Sequence, residues 1–200
     1  MTVTRDAAST RLRFGILGPL EATLDDHRLH LGGQRQRSVI AVLLLARGAV
    51  VTTDRLLEAL WPHDAPRSAP GSLHAYVSHL RRLLEPDRPA RAPSAILVNQ
   101  GSGYALRVPG DAVDAWRFTD LVSRSGSVPD PAARVAMLGE ALDLWRGSAM
   151  VEYADQGWAV AEARRLTELR SIARETLLSA RLDCGETAIL VPDIEALLDE

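Results

Sequence analysis

The stretch from residue 67 to residue 85 constrains the fold most, because its residues specify a helix with two unlike sides. At about 100° per residue, its apolar side chains fall at the i, i+3, i+4, i+7 spacing of a helix that packs on a core. The apolar side comprises Leu73, Tyr76, Val77, Leu80, Leu83 and Leu84.

The opposite side of this helix carries small, hydrogen-bonding and cationic side chains, and no acid precedes Glu85. Such a surface suits the major groove of DNA, where bulky side chains would block approach and carboxylates would meet phosphates. For a lone helix, a solvated amphipathic helix is the simpler interpretation. The residues concerned are Gly71, Ala75, Ser78 and Arg82, flanked by His74, His79 and Arg81.

The segments before this helix predict a small sheet and two shorter helices. Alternating apolar residues over 12–31 predict short antiparallel strands, including one through Leu29 and Leu31, with turns at 18–19 and 25–27. Helices are predicted over 34–47 and 54–61, the second capped by Thr52 or Thr53. Ser68 is the predicted cap of the long helix.

A hairpin is predicted after the long helix. Residues 96–98 and 104–106 are apolar and bracket the glycine-rich segment 99–103. Two helices joined by a connector and followed by a two-stranded wing make a winged helix-turn-helix, whose second helix enters the major groove. Tyr104 is expected to pack under the wing.

Beyond residue 113 the pattern is helical, with helices predicted over 114–125, 130–146, 158–184 and 187–199. The predicted fold class is α+β: an N-terminal winged helix-turn-helix with a small antiparallel sheet and a C-terminal hairpin wing, followed by an all-α tetratricopeptide-like domain. The expected organisation is a flexible tail (1–11), a DNA-binding domain (12–108), a linker (109–113) and a helical domain (114–200).

Charge also divides the chain in two. Residues 31–110 carry a net charge of +5 and residues 111–200 carry −8, within a total of −3, and all 23 cations are arginine. This asymmetry indicates two modules with different partners. The longest apolar run is far shorter than the ~20 residues that cross a bilayer, and the single cysteine fits a reducing compartment. We expect a cytoplasmic protein that binds double-stranded DNA.

Candidate DNA-contacting residues come from the long helix, its approach and the predicted wing. Arginine donates two parallel hydrogen bonds to phosphate or guanine, while serine, histidine and glutamine side chains reach base edges or phosphates. The candidates are Arg35, Arg37, Arg67, Ser72, His74, Ser78, His79, Arg81, Arg82, Gln100 and Ser102.

Catalytic and metal sites are not expected from the sequence, and no cofactor is predicted. A phosphate-binding P-loop needs a lysine, and the chain has none. His74 and His79 diverge on the helix, and Cys184 has no second cysteine to complete a zinc site. An enzyme is therefore the least favoured class of function.

Several ordered motifs resemble one family of regulators. They are Phe14–Glu21, Leu31–Arg37, Asp54–Trp61, Tyr76–Leu83, Gly103–Tyr104, Ala141–Gly147 and Glu162–Leu166.

These motifs resemble the Streptomyces antibiotic regulatory protein (SARP) family, in which an OmpR-type winged helix precedes a bacterial transcriptional activator domain. The resemblance implies an activator that binds direct repeats near promoters of secondary-metabolite genes. It also implies side-by-side protomers on DNA and contact with RNA polymerase, especially its sigma subunit.

Two departures from the family pattern affect these expectations. The family usually has arginine where this chain has His79, which implies a weaker or pH-sensitive contact there. The helical domain usually continues for several more helices, which implies a truncated chain or a short member. The alternative function is an interaction adaptor whose helical half acts while the DNA-binding head has lost specificity.

Overall fold

The computed structural model describes residues 12–89 and 91–186. The predicted tail over 1–11 and the predicted last helix over 187–199 lie outside the described residues. The strands are β1 (Leu12–Gly15), β2 (Glu21–Leu24), β3 (His27–Arg28), β4 (Val51–Thr52), β5 (Leu97–Gln100) and β6 (Gly103–Leu106). The α-helices are α1 (Gln34–Leu45), α2 (Thr53–Leu60), α3 (Ala69–Leu84), α4 (Asp114–Ser125), α5 (Pro131–Asp143) and α6 (Gly157–Asp183).

The N-terminal sheet has the strand order β1-β2-β3 and is antiparallel throughout. Asp25 and Asp26 both have positive φ, at 49° and 66°, as the tight turns of two-residue hairpins require. The third strand was predicted to run through Leu29 and Leu31, and that was wrong: β3 is His27–Arg28. One further backbone hydrogen bond, from the Leu29 amide to the Ala22 carbonyl of β2 at 2.8 Å, follows β3, and Leu31 then lies in the core, where it is 1% exposed.

Helix α1 is buried almost all round, since every side chain from Val39 to Leu44 is at most 8% exposed. Such a helix must lie between other elements rather than on a surface. It ends two residues earlier than predicted, because Arg47 and Gly48 adopt left-handed backbone conformations with φ of 48° and 82°.

Helices α2 and α3 form the helix-turn-helix. The Thr52 hydroxyl accepts a hydrogen bond from the Arg55 amide at 3.3 Å, which confirms the predicted cap of α2. Ser68 occupies the predicted N-cap position of α3, but its side chain makes no capping hydrogen bond. The predicted core side of α3 is confirmed by the burial of Leu73, Val77, Leu80 and Leu84, although Tyr76 and Leu83 are only half-buried.

The wing was predicted as a two-stranded hairpin, and it is a three-stranded antiparallel sheet in the order β4-β6-β5. Strand β4 pairs Val51 with Tyr104 and Thr52 with Gly103. Two residues are too few for sequence periodicity to identify a strand. Tyr104 is 6% exposed, which confirms its predicted position under the wing.

Helices α4, α5 and α6 form the helical module. The Asp130 carboxylate accepts hydrogen bonds from the amides of Ala132 and Ala133 and so starts α5 as predicted. Helix α5 ends at Asp143 instead of Arg146. The chain leaves the helical path there because the Arg146 amide donates to the Leu17 carbonyl at 2.8 Å. This hydrogen bond attaches the segment to the loop between β1 and β2.

The two halves of the chain share one hydrophobic core, which extends from Phe14 through α1 to Leu166 and Ala173. Val113 is fully buried and forms an isolated bridge with Phe14, and the Trp116 indole N–H donates to the Leu44 carbonyl at 3.2 Å. The end of the predicted linker (109–113), at Ala112 and Val113, is therefore packed against the core, while residues 109–111 are exposed. The domain bounds themselves stay a prediction.

Polar contacts reinforce this junction. The Asp114 carboxylate accepts hydrogen bonds from the amides of Ile16 and Leu17 at 2.8–3.0 Å and lies 3.3 Å from the Arg146 guanidinium. Burial raises the pKa of Asp114, although these donors and the arginine oppose the shift. None of the helices in the described residues is long and apolar enough to cross a membrane.

A second ionic contact joins the first helix of the head to the helical module. The Arg37 guanidinium donates to the Leu20 carbonyl at 2.7 Å and to the Glu152 carboxylate at 2.6 Å. The two side chains are 22% and 29% exposed. At this degree of burial, removing one charge leaves its partner poorly solvated.

Glu152→Gln is expected to lower the free energy of unfolding by about 1–3 kcal/mol, because it leaves the Arg37 cation without its counter-charge. Urea denaturation at neutral pH measures the change. The matched control is Arg124→Ala, which removes an ion pair to Asp120 whose partners are 63% and 62% exposed, and it should cost less than about 0.5 kcal/mol. Equal effects of the two variants would contradict a structural role for the Arg37–Glu152 pair.

Gly103→Ala is expected to destabilise the wing by about 1–3 kcal/mol, because overpacking forces the backbone apart. A Cβ at this position would lie 2.1 Å from the Val51 carbonyl oxygen. The control is Gly110→Ala, where a Cβ would meet no heavy atom within 4 Å among the described residues. Denaturation midpoints that fall equally for both variants would show that the β4–β6 approach is not tight.

Candidate nucleic-acid interface

The side of α3 that points away from α1 is exposed and has the composition predicted for it. We call Gly71, His74, Ala75, Ser78 and Arg82 the outer face of α3, and all five are exposed. The helix contains no acidic residue. Small side chains at its centre leave the backbone accessible, and the cation lies in the last turn, where the helix dipole favours it.

The first acid after α3 is turned away from the outer face. The Glu85 carboxylate accepts a hydrogen bond from the Ala95 amide at 2.8 Å and another from the Ser94 hydroxyl. It also lies 3.9 Å from the Arg88 guanidinium. These contacts direct the Glu85 carboxylate into the loop that leads to the wing.

The tip of the wing is tied to the start of α2. Both the amide and the hydroxyl of Thr53 donate to the Ser102 carbonyl, at 3.0 and 2.9 Å. The Arg107 guanidinium donates to the Gln100 side-chain oxygen at 2.6 Å. The two predicted wing residues, Gln100 and Ser102, are thus exposed residues on a tip that is held in place.

A cleft of about 440 Å³ separates the wing from the helix-turn-helix. His74 contributes from α3 and Asp54 from the first turn of α2, so the cleft offers one imidazole and one carboxylate. In a DNA complex, the imidazole can reach a phosphate or a base edge, while the carboxylate can accept from the amino group of cytosine. The full lining is Thr52, Thr53, Asp54, His74, Asn99, Gly101, Ser102, Gly103 and Tyr104.

Arg81 differs from its neighbour Arg82, since its guanidinium is engaged with the wing. Its Nε donates to the Leu97 carbonyl at 2.8 Å and one terminal nitrogen donates to the Asn99 side-chain oxygen at 2.8 Å. The guanidinium carbon lies 6.0 Å from the centre of the Tyr104 ring. Burial lowers the pKa of Arg81 and raises that of Tyr104, and the arginine stays charged at any physiological pH.

The other predicted contact residues fall into two groups. Arg67 is exposed just before α3, while Ser72 and His79 are half-buried at the edges of its outer face. Two arginines come from α1 rather than from α3 or the wing. The guanidinium of Arg35 lies 5.2 Å from the Trp61 ring centre, and Arg37 is committed to the Glu152 contact.

Sequence reasoning missed Asn99 and Arg107, which hold Arg81 and Gln100 respectively. A sequence signal was available only for Arg107, a cation next to the predicted second strand of the hairpin. The sequence predicts Asn99 in the glycine-rich segment between the two strands, so its position in β5 was not expected. In residues 12–89 and 91–186, no group of three or more histidine, cysteine or acidic residues is placed to hold a metal ion.

Two family models match the two halves of the chain. Residues 27–106 match the C-terminal domain of transcriptional regulatory proteins, and residues 113–200 match the bacterial transcriptional activator domain. Residues 107–112 separate the two matches and lead from the wing towards α4.

The chain is 33% identical over 195 residues to the transcriptional regulatory protein EmbR of Mycobacterium tuberculosis, an alignment that covers 95% of this chain and 49% of EmbR. It is 35% identical to the regulatory protein AfsR of Streptomyces coelicolor, over 94% of this chain and 18% of AfsR. It is 26% identical to the transcriptional regulator RedD of the same organism, over 94% of this chain and 54% of RedD.

A solved structure of M. tuberculosis EmbR, in complex with a low-affinity phosphopeptide, has the same fold. The TM-score is 0.85 at 32% identity, over 94% of this chain and 50% of that chain. The present chain therefore spans about half the length of EmbR and of RedD. It spans 18% of the length of AfsR. The winged helix-turn-helix, the helical module behind it and these relatives together show that the chain belongs to the SARP family of transcriptional regulators.

Proposed function

We propose that this chain is a sequence-specific DNA-binding activator that inserts the outer face of α3 into the major groove. The observation that carries the proposal is that this face is exposed, free of carboxylates and flanked by an ordered wing. The major groove is about 12 Å wide and admits one α-helix whose outward side chains are small enough for close approach. Both conditions are met along one side of α3.

The proposed contacts divide by chemistry. Arg82 reads guanine or holds a phosphate, and His74 and Ser78 reach base edges or backbone from the centre of the face. Arg67 neutralises a phosphate beside the start of α3. Ser72 and His79 supply contacts at the two edges of the helix, and Gln100 and Ser102 supply those from the wing. Arg35 and Arg37 belong to α1, where their guanidinium groups contact Trp61 and Glu152, and we do not include them among these contacts.

The acidic helical module is proposed to contact proteins, because its charge would repel DNA. Residues 111–200 carry a net charge of −8. Consistent with the family, we propose binding to direct repeats near promoters of secondary-metabolite genes, side-by-side protomers on DNA, and contact with RNA polymerase through its sigma subunit. We also place the protein in the cytoplasm, as a regulator without catalytic activity or cofactor.

The alternative is an adaptor that works through the helical module alone. The observation that favours it is Asp54 in the cleft with His74, because a carboxylate there is repelled by DNA phosphates. Binding to duplexes selected from a random pool, compared with unselected duplex at the same salt concentration, separates the two functions. An adaptor shows no preference between the two pools.

Ala75→Trp is expected to abolish or weaken specific binding by at least ~10-fold, equivalent to about 1.4 kcal/mol. Ala75 is exposed at the centre of the outer face. The indole would therefore project into solvent in the free protein, but it would prevent α3 from approaching the bases in the major groove. Fluorescence anisotropy with a selected duplex measures the loss, and the denaturation midpoint verifies that the variant folds.

The matched control for this variant is Ala161→Trp, which places the same indole at an exposed position of α6. It should leave binding unchanged. If Ala75→Trp binds as well as the wild-type chain, or if both variants lose affinity equally, α3 does not enter the groove.

Arg82→Ala is expected to weaken specific binding by about 1–3 kcal/mol if the guanidinium reads a base, with discrimination relaxed at one position of the site. If it holds a phosphate, the loss is uniform across sequences and the slope of log affinity against log salt becomes shallower by about 1. Affinity measured between 50 and 200 mM salt distinguishes the two roles. Arg124→Ala, an exposed arginine of α4, is the control, and an Arg82→Ala variant that binds as tightly as this control would contradict the placement.

A further inference from the structure

We infer that Arg81 is a positioning residue that fixes the wing against α3, instead of a direct DNA contact. This inference rests on the proposed function for its consequence, because the wing matters only if it meets DNA together with α3. It departs from the simple expectation that two consecutive arginines at the end of such a helix serve the same purpose.

The geometry supports different roles for Arg81 and Arg82. Arg82 is exposed on the outer face, whereas Arg81 is half-buried and directed at the wing. Two of its guanidinium nitrogens donate at 2.8 Å to oxygens of β5, namely the Leu97 carbonyl oxygen and the Asn99 side-chain oxygen. A guanidinium used in this way has its planar fork directed at the wing rather than at a phosphate.

The position of β5 in its sheet explains why such a contact is needed. The strand order is β4-β6-β5, so β5 is an edge strand that pairs with β6 on one side. Its other edge presents backbone groups that need a partner. Arg81 occupies that edge at Leu97, and Asn99, two residues on in the same strand, provides the second anchor.

The opposite end of the wing is fixed separately. Thr53 holds the Ser102 carbonyl at the tip, while Arg81 holds the strand that leads to it. With both attachments, the distance and angle between α3 and the wing are set before DNA arrives. Binding then costs less conformational entropy than it would with a loose wing.

The identity of the side chain matters for this role. Arginine offers planar, divergent N–H groups that reach two acceptors at once, whereas lysine offers a single ammonium at the end of a flexible chain. Arg81→Lys keeps the charge and loses the double attachment. A phosphate contact would survive that change in large part, and a positioning contact would not.

The test has one measurement without DNA and one with it, both on the full chain. Amide hydrogen exchange, followed by mass spectrometry, should become faster over residues 97–106 in Arg81→Ala and Arg81→Lys, with exchange over α3 unchanged. Arg82→Ala is the matched control and should leave exchange in the wing as in the wild-type chain.

The DNA measurement is a double-mutant cycle between Arg81→Ala and the wing-tip variant Gln100→Ala/Ser102→Ala, on a selected duplex. Arg81→Ala and Arg81→Lys should each bind about tenfold more weakly. The loss from Arg81→Ala should shrink markedly when the wing-tip side chains are already removed, because both changes act through the wing. The effect of Arg82→Ala should stay the same in that background.

The outcomes separate this inference from the proposed function. Unchanged exchange in the wing of Arg81→Ala, full binding by Arg81→Lys, or additive effects in the cycle would each overturn the positioning role alone. A wild-type chain with no preference for the selected duplex would overturn the proposed function, while the exchange measurement would still report whether Arg81 holds the wing.

Discussion

The burial of helix α1 on every side is the constraint on which the rest of this structure depends. Its apolar run from Val39 to Leu44 is almost completely inaccessible to water. One part of that surface is covered by the helix-turn-helix, and others by strand β6 of the wing and by helix α6 of the helical module. A helix so apolar is unstable in water without these partners, so the head and the helical module fold around the same element.

This shared helix determines which surface of the head stays open. The helical module reaches the first half of the chain through α1 and β1, with Trp116 bonded to Leu44, and with Arg146 bonded to Leu17. Helix α3 packs on α1, α2 and β5. The module therefore lies against other elements of the head, and the outer face of α3 stays exposed. The same packing ties the orientation of the helical module to that of α3.

Much of this arrangement could be predicted from local patterns in the sequence. The two-sided character of α3, the start of α5 at Asp130 and the cap of α2 by Thr52 each follow from a spacing or a capping preference within one element. The outer face of α3 was predicted residue by residue, because helical geometry alone assigns each side chain to a side.

What the sequence did not reveal depends on partners distant in the chain. Strand β4 exists because two residues meet β6 some fifty positions later, and α5 ends early because Arg146 bonds to the N-terminal sheet. The different surroundings of Arg37 in α1 and of Arg81 and Arg82 in α3 cannot be predicted from local patterns, since all three are arginines in helices. Only the positions of Glu152, Leu97 and Asn99 in space distinguish them.

The central claim is that the outer face of α3 lies in the major groove, and tethered cleavage of DNA tests it most directly. A Ser68→Cys variant, with Cys184 replaced by serine so that the label has one attachment site, carries an iron–EDTA group at the exposed residue just before α3, where the label does not cover the outer face. Bound to a selected duplex, it should cleave both strands within the recognised site with the offset typical of a reagent in the major groove. Cleavage at random positions, or none beyond that of the same label at Ser179 of α6, would contradict the account.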